Sequence, residues 1–231
     1  MTDRDALKRA AAEAAVAEVE DGMVVGLGSG TTAETALHAL AARVAAGLRV
    51  RGLPTSERTA SLARALGVPL TGFARDPVPD LTIDGADEVE AASLALIKGR
   101  GGALLREKIV AAASRRVLIV VDDSKLVPRL GVGVLPLEVA PFGSQATLAH
   151  LDAMGMRPVL RRAADGAPFV TDGGNLVADC PTGPIADPAG LSARLLHVPG
   201  VIETGLFLLP TLEVIVATGH GTTRLPDRQQ R

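Results

Sequence analysis

Between Ile97 and Lys108 the chain reads Lys98-Gly99-Arg100-Gly101-Gly102-Ala103-Leu104-Leu105-Arg106-Glu107: an ammonium, a run of glycines and a carboxylate within ten residues. Glycines suit a backbone that must pass close to a ligand. A lysine pairs with an anion or an enolate. A glutamate in the first turns of a helix can serve as a base. An anion binder next to a base suits chemistry on a small phosphorylated or carboxylated metabolite.

Three other segments carry comparable chemistry. Gly26-Leu27-Gly28-Ser29-Gly30-Thr31-Thr32 falls between a strand-like run and a helix-like run. Glycines there turn backbone N–H groups toward an anion, and a helix N-terminus adds a favourable dipole. The spacing fits neither a dinucleotide fingerprint nor a P-loop, and a tight turn capped by threonine is the plain alternative. Asp84-Gly85-Ala86-Asp87-Glu88 places three carboxylates in five residues at the end of a strand. Their repulsion favours a shared proton and acid–base work; a solvated Asp-Gly turn and an oxygen-ligated divalent metal stay open. Lys125 follows another strand and adds a cation, or is a plain surface lysine. In a helix starting at Ala103, Glu107 shares a face with Ala103 and Val110, while Arg106 and Lys108 point elsewhere. On its own, Glu107 between two cations is as readily a solvated helix charge. The histidines (His38, His150, His197 and His220) show no metal-ligand or triad spacing.

Composition narrows the classes. The 231 residues are 47% hydrophobic, with no Trp, no Tyr and four Phe, so the core is built from Ala, Val, Leu and Ile. Few rings and a formal net charge of −2 read against nucleic acid and against an anionic membrane. Cys180 is the single cysteine, so no internal disulfide forms. Met1-Thr2-Asp3-Arg4-Asp5 has acids and no apolar stretch, which reads against a signal peptide, and no apolar run reaches membrane-spanning length. The chain reads as soluble and cytoplasmic.

The elements that must position these residues alternate. Helices are expected over 5–20, 33–46, 57–66 and 103–113; strands over 23–27, 48–53, 68–70, 81–84, 94–98 and 117–121. That order predicts an α/β fold: a Rossmann-like, mainly parallel sheet flanked by helices. Lys98, ending a strand, is expected to share a sheet edge with Asp84. The pattern then changes. Strands over 132–139, 157–160, 168–171, 176–179 and 201–209, with helices over 145–154 and 188–196, follow the order of a second, smaller ferredoxin-like α+β domain. A strand over 212–217 rejoins the first sheet, and the polar tail from Thr222 is expected to fray. The predicted domains are 1–130 with 210–231, and 131–209.

Taken together, the four segments resemble ribose-5-phosphate isomerase, type A. Asp123-Ser124-Lys125, Pro136-Leu137-Glu138-Val139 and Pro199-Gly200-Val201-Ile202-Glu203-Thr204-Gly205-Leu206-Phe207 extend the match in order and spacing over about residues 5–220. The resemblance implies interconversion of D-ribose 5-phosphate and D-ribulose 5-phosphate in the non-oxidative pentose phosphate pathway. It implies no metal, no organic cofactor, and a homodimer or homotetramer. Glu107 falls on the family's catalytic glutamate. Ser29, Gly30, Thr31 and Thr32, then Asp84, Gly85, Ala86 and Asp87, then Lys98, Gly99, Arg100 and Gly101, and finally Lys125, fall on its substrate-contacting positions. The implied chemistry is proton transfer through an enediol. Glu107 is the base, Lys98 steadies the enediolate, Asp84 and Asp87 open the ring, and the Ser29–Thr32 loop holds phosphate. Arg100 departs from the pattern, standing where many members have glycine. Sugar-phosphate-responsive regulators and acyl-CoA transferases share the type of fold and are the alternative classes, with a metal-dependent isomerase as a third.

Overall fold

A computed structural model describes residues 3–226. Met1 and Thr2, part of the segment read against a signal peptide, lie outside the described residues, as does the polar end Asp227-Arg228-Gln229-Gln230-Arg231. The chain divides into two compact units, each with its own apolar core. Of the described residues, those up to Ala86, Arg106–Leu126 and those from Leu209 form the first; Asp87–Leu105 and Val127–Leu208 form the second. The expected division fell at 130/131 and 209/210; here Asp87–Leu105 goes with the second unit.

The first unit is a six-stranded sheet in the order Gly221–Leu225, Leu212–Thr218, Val117–Asp122, Leu81–Asp84, Val24–Leu27, Arg51–Pro54. Every neighbouring pair is parallel except the first. Val24–Leu27, Leu81–Asp84 and Val117–Asp122 are buried at every residue. That is why Val24–Leu27 and residues 117–121 read as unbroken apolar runs rather than alternating ones. The helices Asp3–Val16 and Thr31–Ala45 close over this sheet with small side chains: Ala11, Ala12, Ala15, Ala36, Leu37 and Leu40 all lie in the core. Alanine favours the helix and lets it approach closely. The first helix ends at Val16, short of the expected residue 20, because Arg43 donates to the carbonyls of Val16 and Val19 and satisfies the helix end there. The expected strand over 68–70 is only a bridge between Gly52 and Leu70.

The tail does not fray from Thr222. Gly221–Leu225 pairs antiparallel with Leu212–Thr218, and Arg224 fastens it by ion pairs to Glu213, at 2.9 Å, and to Glu18. The polar residues of this edge strand hid it from hydropathy.

The second unit holds an antiparallel sheet in the order Val201–Thr204, Leu135–Val139, Leu176–Cys180, Val159–Leu160. The helix Ser144–Ala153 follows its first strand in the chain and Pro188–Leu196 its third. This is the β-α-β-β-α-β arrangement expected, around a core containing Leu135, Leu137, Leu151, Cys180 and Leu195. The expected strand over 168–171 supplies only bridges at Pro168 and Val170. The expected run 201–209 breaks in two: Leu206–Phe207 leaves this sheet and pairs with Leu96–Ile97, which pairs in turn with Glu88–Glu90. Lys98 therefore follows a two-residue strand of a local antiparallel ladder, and the expected sheet edge shared with Asp84 is corrected. Sequence-adjacent segments close a hairpin at low loop entropy, and this one claims Leu96–Ile97.

The Cys180 thiol is fully buried, and burial, with Asp179 beside it, pushes it up to about 12. It should resist maleimide at neutral pH and react on unfolding; rapid labelling of the native chain would contradict this packing. Asp76 is held down to about 2 by its hydrogen bonds from Arg51 and then Thr71. A depressed carboxylate stabilises the fold above its unfolded value near 4 and loses that contribution as pH falls toward 2. Urea midpoints should place Asp76→Asn below wild type at pH ~5, with the gap closing by pH ~2; a constant gap would refute the linkage.

Candidate active site

In the first unit, the strand Val24–Leu27 runs into the loop Gly28-Ser29-Gly30, and the helix Thr31–Ala45 starts at once behind it. The loop is shaped by the neighbouring strand end. Asp84, 1% exposed, accepts the N–H groups of Ser29 at 3.1 Å and of Gly85 at 2.8 Å through Oδ1. Gly28 lies so close that a Cβ there would sit 2.2 Å from Asp84 Oδ1. The Ser29 hydroxyl is drawn inward to Thr55 and Ser56, both at 2.8 Å, and Thr59 at 3.1 Å. Thr55 and Thr59 donate in turn to the carbonyls of Leu27 and Gly28. With the amide and hydroxyl of Ser29 engaged, the loop presents Gly30 and Thr31, which are exposed, and Thr32, which is half-buried. The first N–H groups of a helix have no intrahelical acceptor and face an incoming anion. Lys8 Nζ stands 3.1 Å from Thr31 Oγ1, a cation at that same terminus.

Glu107 lies in the first turns of Leu104–Ala113 and is 4% exposed. Val110, on the same face, packs with Thr82 into the space that Gly26 leaves open. Arg106 turns away, as its spacing predicts, and donates to Glu57 at 2.8 Å, holding that carboxyl below its ordinary range. Among the described residues, Asp84 Oδ2 and Glu107 Oε2 are the buried side-chain oxygens that accept no hydrogen bond, although both residues make other interactions. Lys125, half-buried, closes the short 3₁₀ turn Asp123–Lys125, which the Asp122 carboxylate caps by accepting the Ser124 N–H at 3.0 Å.

In the second unit, Lys98 is 4% exposed, its N–H bonded to the Gly205 carbonyl and its ammonium 5.5 Å from the centre of the Phe207 ring. A desolvated ammonium over an aromatic face is a cation–π arrangement. Asp87 accepts the Arg100 N–H at 3.0 Å through Oδ2. Glu88, 3% exposed, accepts the N–H groups of Gly131, Val132 and Gly133 at 2.7, 3.2 and 2.5 Å. The Arg100 side chain runs against Gly133 to reach Glu88 at 3.4 Å. Asp84, Asp87 and Glu88 thus each have their own donors, where the sequence suggested a shared proton. The turn itself bends through Gly99 and Gly102 at φ of 112° and 78°, which a side chain rarely allows.

Sequence reasoning missed Lys8, the Thr55-Ser56-Thr59 hydroxyls and the structural work of Glu88. A signal existed for the hydroxyls: Ser56, three residues before Thr59, caps the helix Glu57–Ala65 by accepting the Thr59 N–H. Lys8 carries none. Among the described residues, no group of three or more His, Cys, Asp or Glu side chains is placed to hold a metal ion, and no helix is long and apolar enough to cross a membrane.

Comparison with known proteins identifies the family. Residues 51–221 match the model of the family described as ribose 5-phosphate isomerase A (phosphoriboisomerase A). The ribose-5-phosphate isomerase A of Gloeobacter violaceus is 58% identical over 220 residues, covering 95% of each chain. The solved ribose 5-phosphate isomerase A of Methanocaldococcus jannaschii superposes with a TM-score of 0.92 at 38% identity, over 96% of this chain and 98% of that one. A D-ribose-5-phosphate isomerase solved in complex with phospho-erythronic acid gives 0.92 at 34% identity, over 97% and 99%. By sequence over nearly its whole length and by fold, the chain belongs to the ribose 5-phosphate isomerase A family.

Proposed function

We propose that this chain interconverts D-ribose 5-phosphate and D-ribulose 5-phosphate by moving a proton between C2 and C1 through an enediol. The observation that carries the reading is the burial of Glu107. A glutamate between two cations on a short helix is ordinarily solvated, whereas this one is 4% exposed. Burying a carboxylate is costly, and a side chain kept there against that cost marks a candidate for function. Support comes from the relatives and from the complex of one of them with a phosphorylated sugar acid.

Glu107 takes the proton from C2 and returns it to C1. Burial keeps bulk water from competing for the proton it carries. Electrons released from the C–H bond move onto the carbonyl oxygen, and the Lys98 ammonium steadies the charge that develops there. Asp84 and Asp87 handle the hydroxyl protons: they open the ring and pass the O2 proton to O1, so that the C2 carbonyl forms as C1 is protonated. Gly30, Thr31 and Thr32 receive the phosphate at the helix N-terminus, with Lys8 beside them, and Ser29 holds the loop that presents them. Gly85, Ala86, Gly99, Arg100, Gly101 and Lys125 line the sugar. Binding energy gathered at the phosphate fixes the reacting carbons. The reading includes no metal or organic cofactor, a cytoplasmic location and a homodimer or homotetramer.

A coupled assay on ribose 5-phosphate in EDTA should yield ketose; no product there would overturn the metal-free isomerase. Glu107→Gln is nearly isosteric and removes the base, so kcat should fall about 10²-fold or more with KM little changed. Near-normal turnover by that variant would remove Glu107 from its role.

A further inference from the structure

We propose that Arg161 is a positioning residue for the Lys98-Gly99-Arg100-Gly101 turn, an inference that rests on the isomerase reading above. Arg161 adjoins the strand Val159–Leu160, some sixty residues along the chain from the turn, and only 14% of its side chain is exposed. Its Nη1 donates to two carbonyls of the turn, Gly99 and Arg100, both at 2.9 Å. The other edge of the guanidinium grips Asp179, with Nε 2.8 Å from Oδ2 and Nη2 on Oδ1. Its Cζ lies 5.8 Å from the centre of the Phe169 ring, and that ring occupies the space a Cβ on Gly102 would need.

The Gly99 carbonyl and the Arg100 N–H belong to one peptide group. Arg161 holds its oxygen at 2.9 Å, and Asp87 Oδ2 holds its nitrogen at 3.0 Å. A peptide next to glycine turns over easily, because no Cβ resists the change in dihedral angles. Clamped at both ends, this one cannot turn without breaking two charge-assisted hydrogen bonds. The clamp sits one residue from Lys98, so it sets where the Lys98 backbone leaves the ladder and which backbone groups the turn presents. Asp179 balances the guanidinium charge, so Arg161 acts as a fixed donor rather than as a phosphate trap. A lysine cannot do the same. Its single ammonium lacks the planar fork that reaches a carboxylate and two carbonyls at once.

The test compares Arg161→Lys and Asp179→Asn with wild type. For Arg161→Lys, kcat should fall about 10- to 100-fold while KM for ribose 5-phosphate changes less than about threefold. Asp179→Asn should give a smaller loss of the same kind. Hydrogen exchange of the backbone over residues 98–102 should quicken in both, with the urea midpoint measured alongside to separate a local effect from a global one. Wild-type kcat in the folded variants, or a kcat loss with unchanged exchange over 98–102, would overturn the positioning role. Should Arg161→Lys not fold, Asp179→Asn decides by the same two readouts. Should wild type itself make no ketose, the isomerase reading fails, and the exchange measurement alone decides whether Arg161 holds the turn.

Discussion

Asp84 Oδ1 accepts the backbone N–H groups of Ser29 and Gly85, and the loop that leads into the helix Thr31–Ala45 is shaped by those two bonds. A carboxylate at 1% exposure must be given donors, since leaving a buried charge without hydrogen bonds is strongly unfavourable. The donors come from the loop after Val24–Leu27 and from its own turn, so the ends of two parallel strands are tied together. Gly28 has to be glycine because the carboxylate occupies its Cβ position. Ser29, fixed by its N–H, sends its hydroxyl to Thr55, Ser56 and Thr59, which places the helix Glu57–Ala65 as well. The helix Thr31–Ala45 then starts where its free N–H groups are open to an anion.

The second unit solves the same problem with the same chemistry. Glu88 is buried and takes three successive backbone N–H groups from residues 131–133, and Arg100 adds a cation. This gives Arg100 a physical role. Where many relatives are expected to have glycine, its side chain turns to Glu88 and fastens the turn to the 131–133 loop. Backbone amides hold both carboxylates, with a guanidinium added at Glu88.

How legible each element was depended on whether its cause was local. Pro188–Leu196 could be read to its bounds because Asp187 caps it, its side chain accepting the Gly190 N–H, with proline at the first helical position. Leu81–Asp84 was equally plain, a short β-branched segment with an acidic end between a Pro/Asp stretch and the glycine of Asp84-Gly85. The run 201–209 was misread as one strand because nothing local says that residues on either side of Gly205 pair with different sheets. The strand Gly221–Leu225 was missed because its residues are polar and because one of the ion pairs that hold it comes from Glu18, near the other end of the chain.

The sequence by itself determined the α/β class, the ferredoxin-like order of the smaller unit, the family and the candidate residues, because glycine placement, strand-end acids and the spacing of Lys98 to Glu107 are local features. Only the tertiary structure decided which groups those residues touch. It drew Ser29 inward, gave each acid of Asp84–Glu88 its own donors, moved Lys98 from the main sheet to a short antiparallel ladder, and set Arg161 against the turn after Lys98. Hydrogen-bond partners of buried groups come from wherever the folded chain supplies them, and residue spacing cannot name partners that lie thirty or sixty positions away.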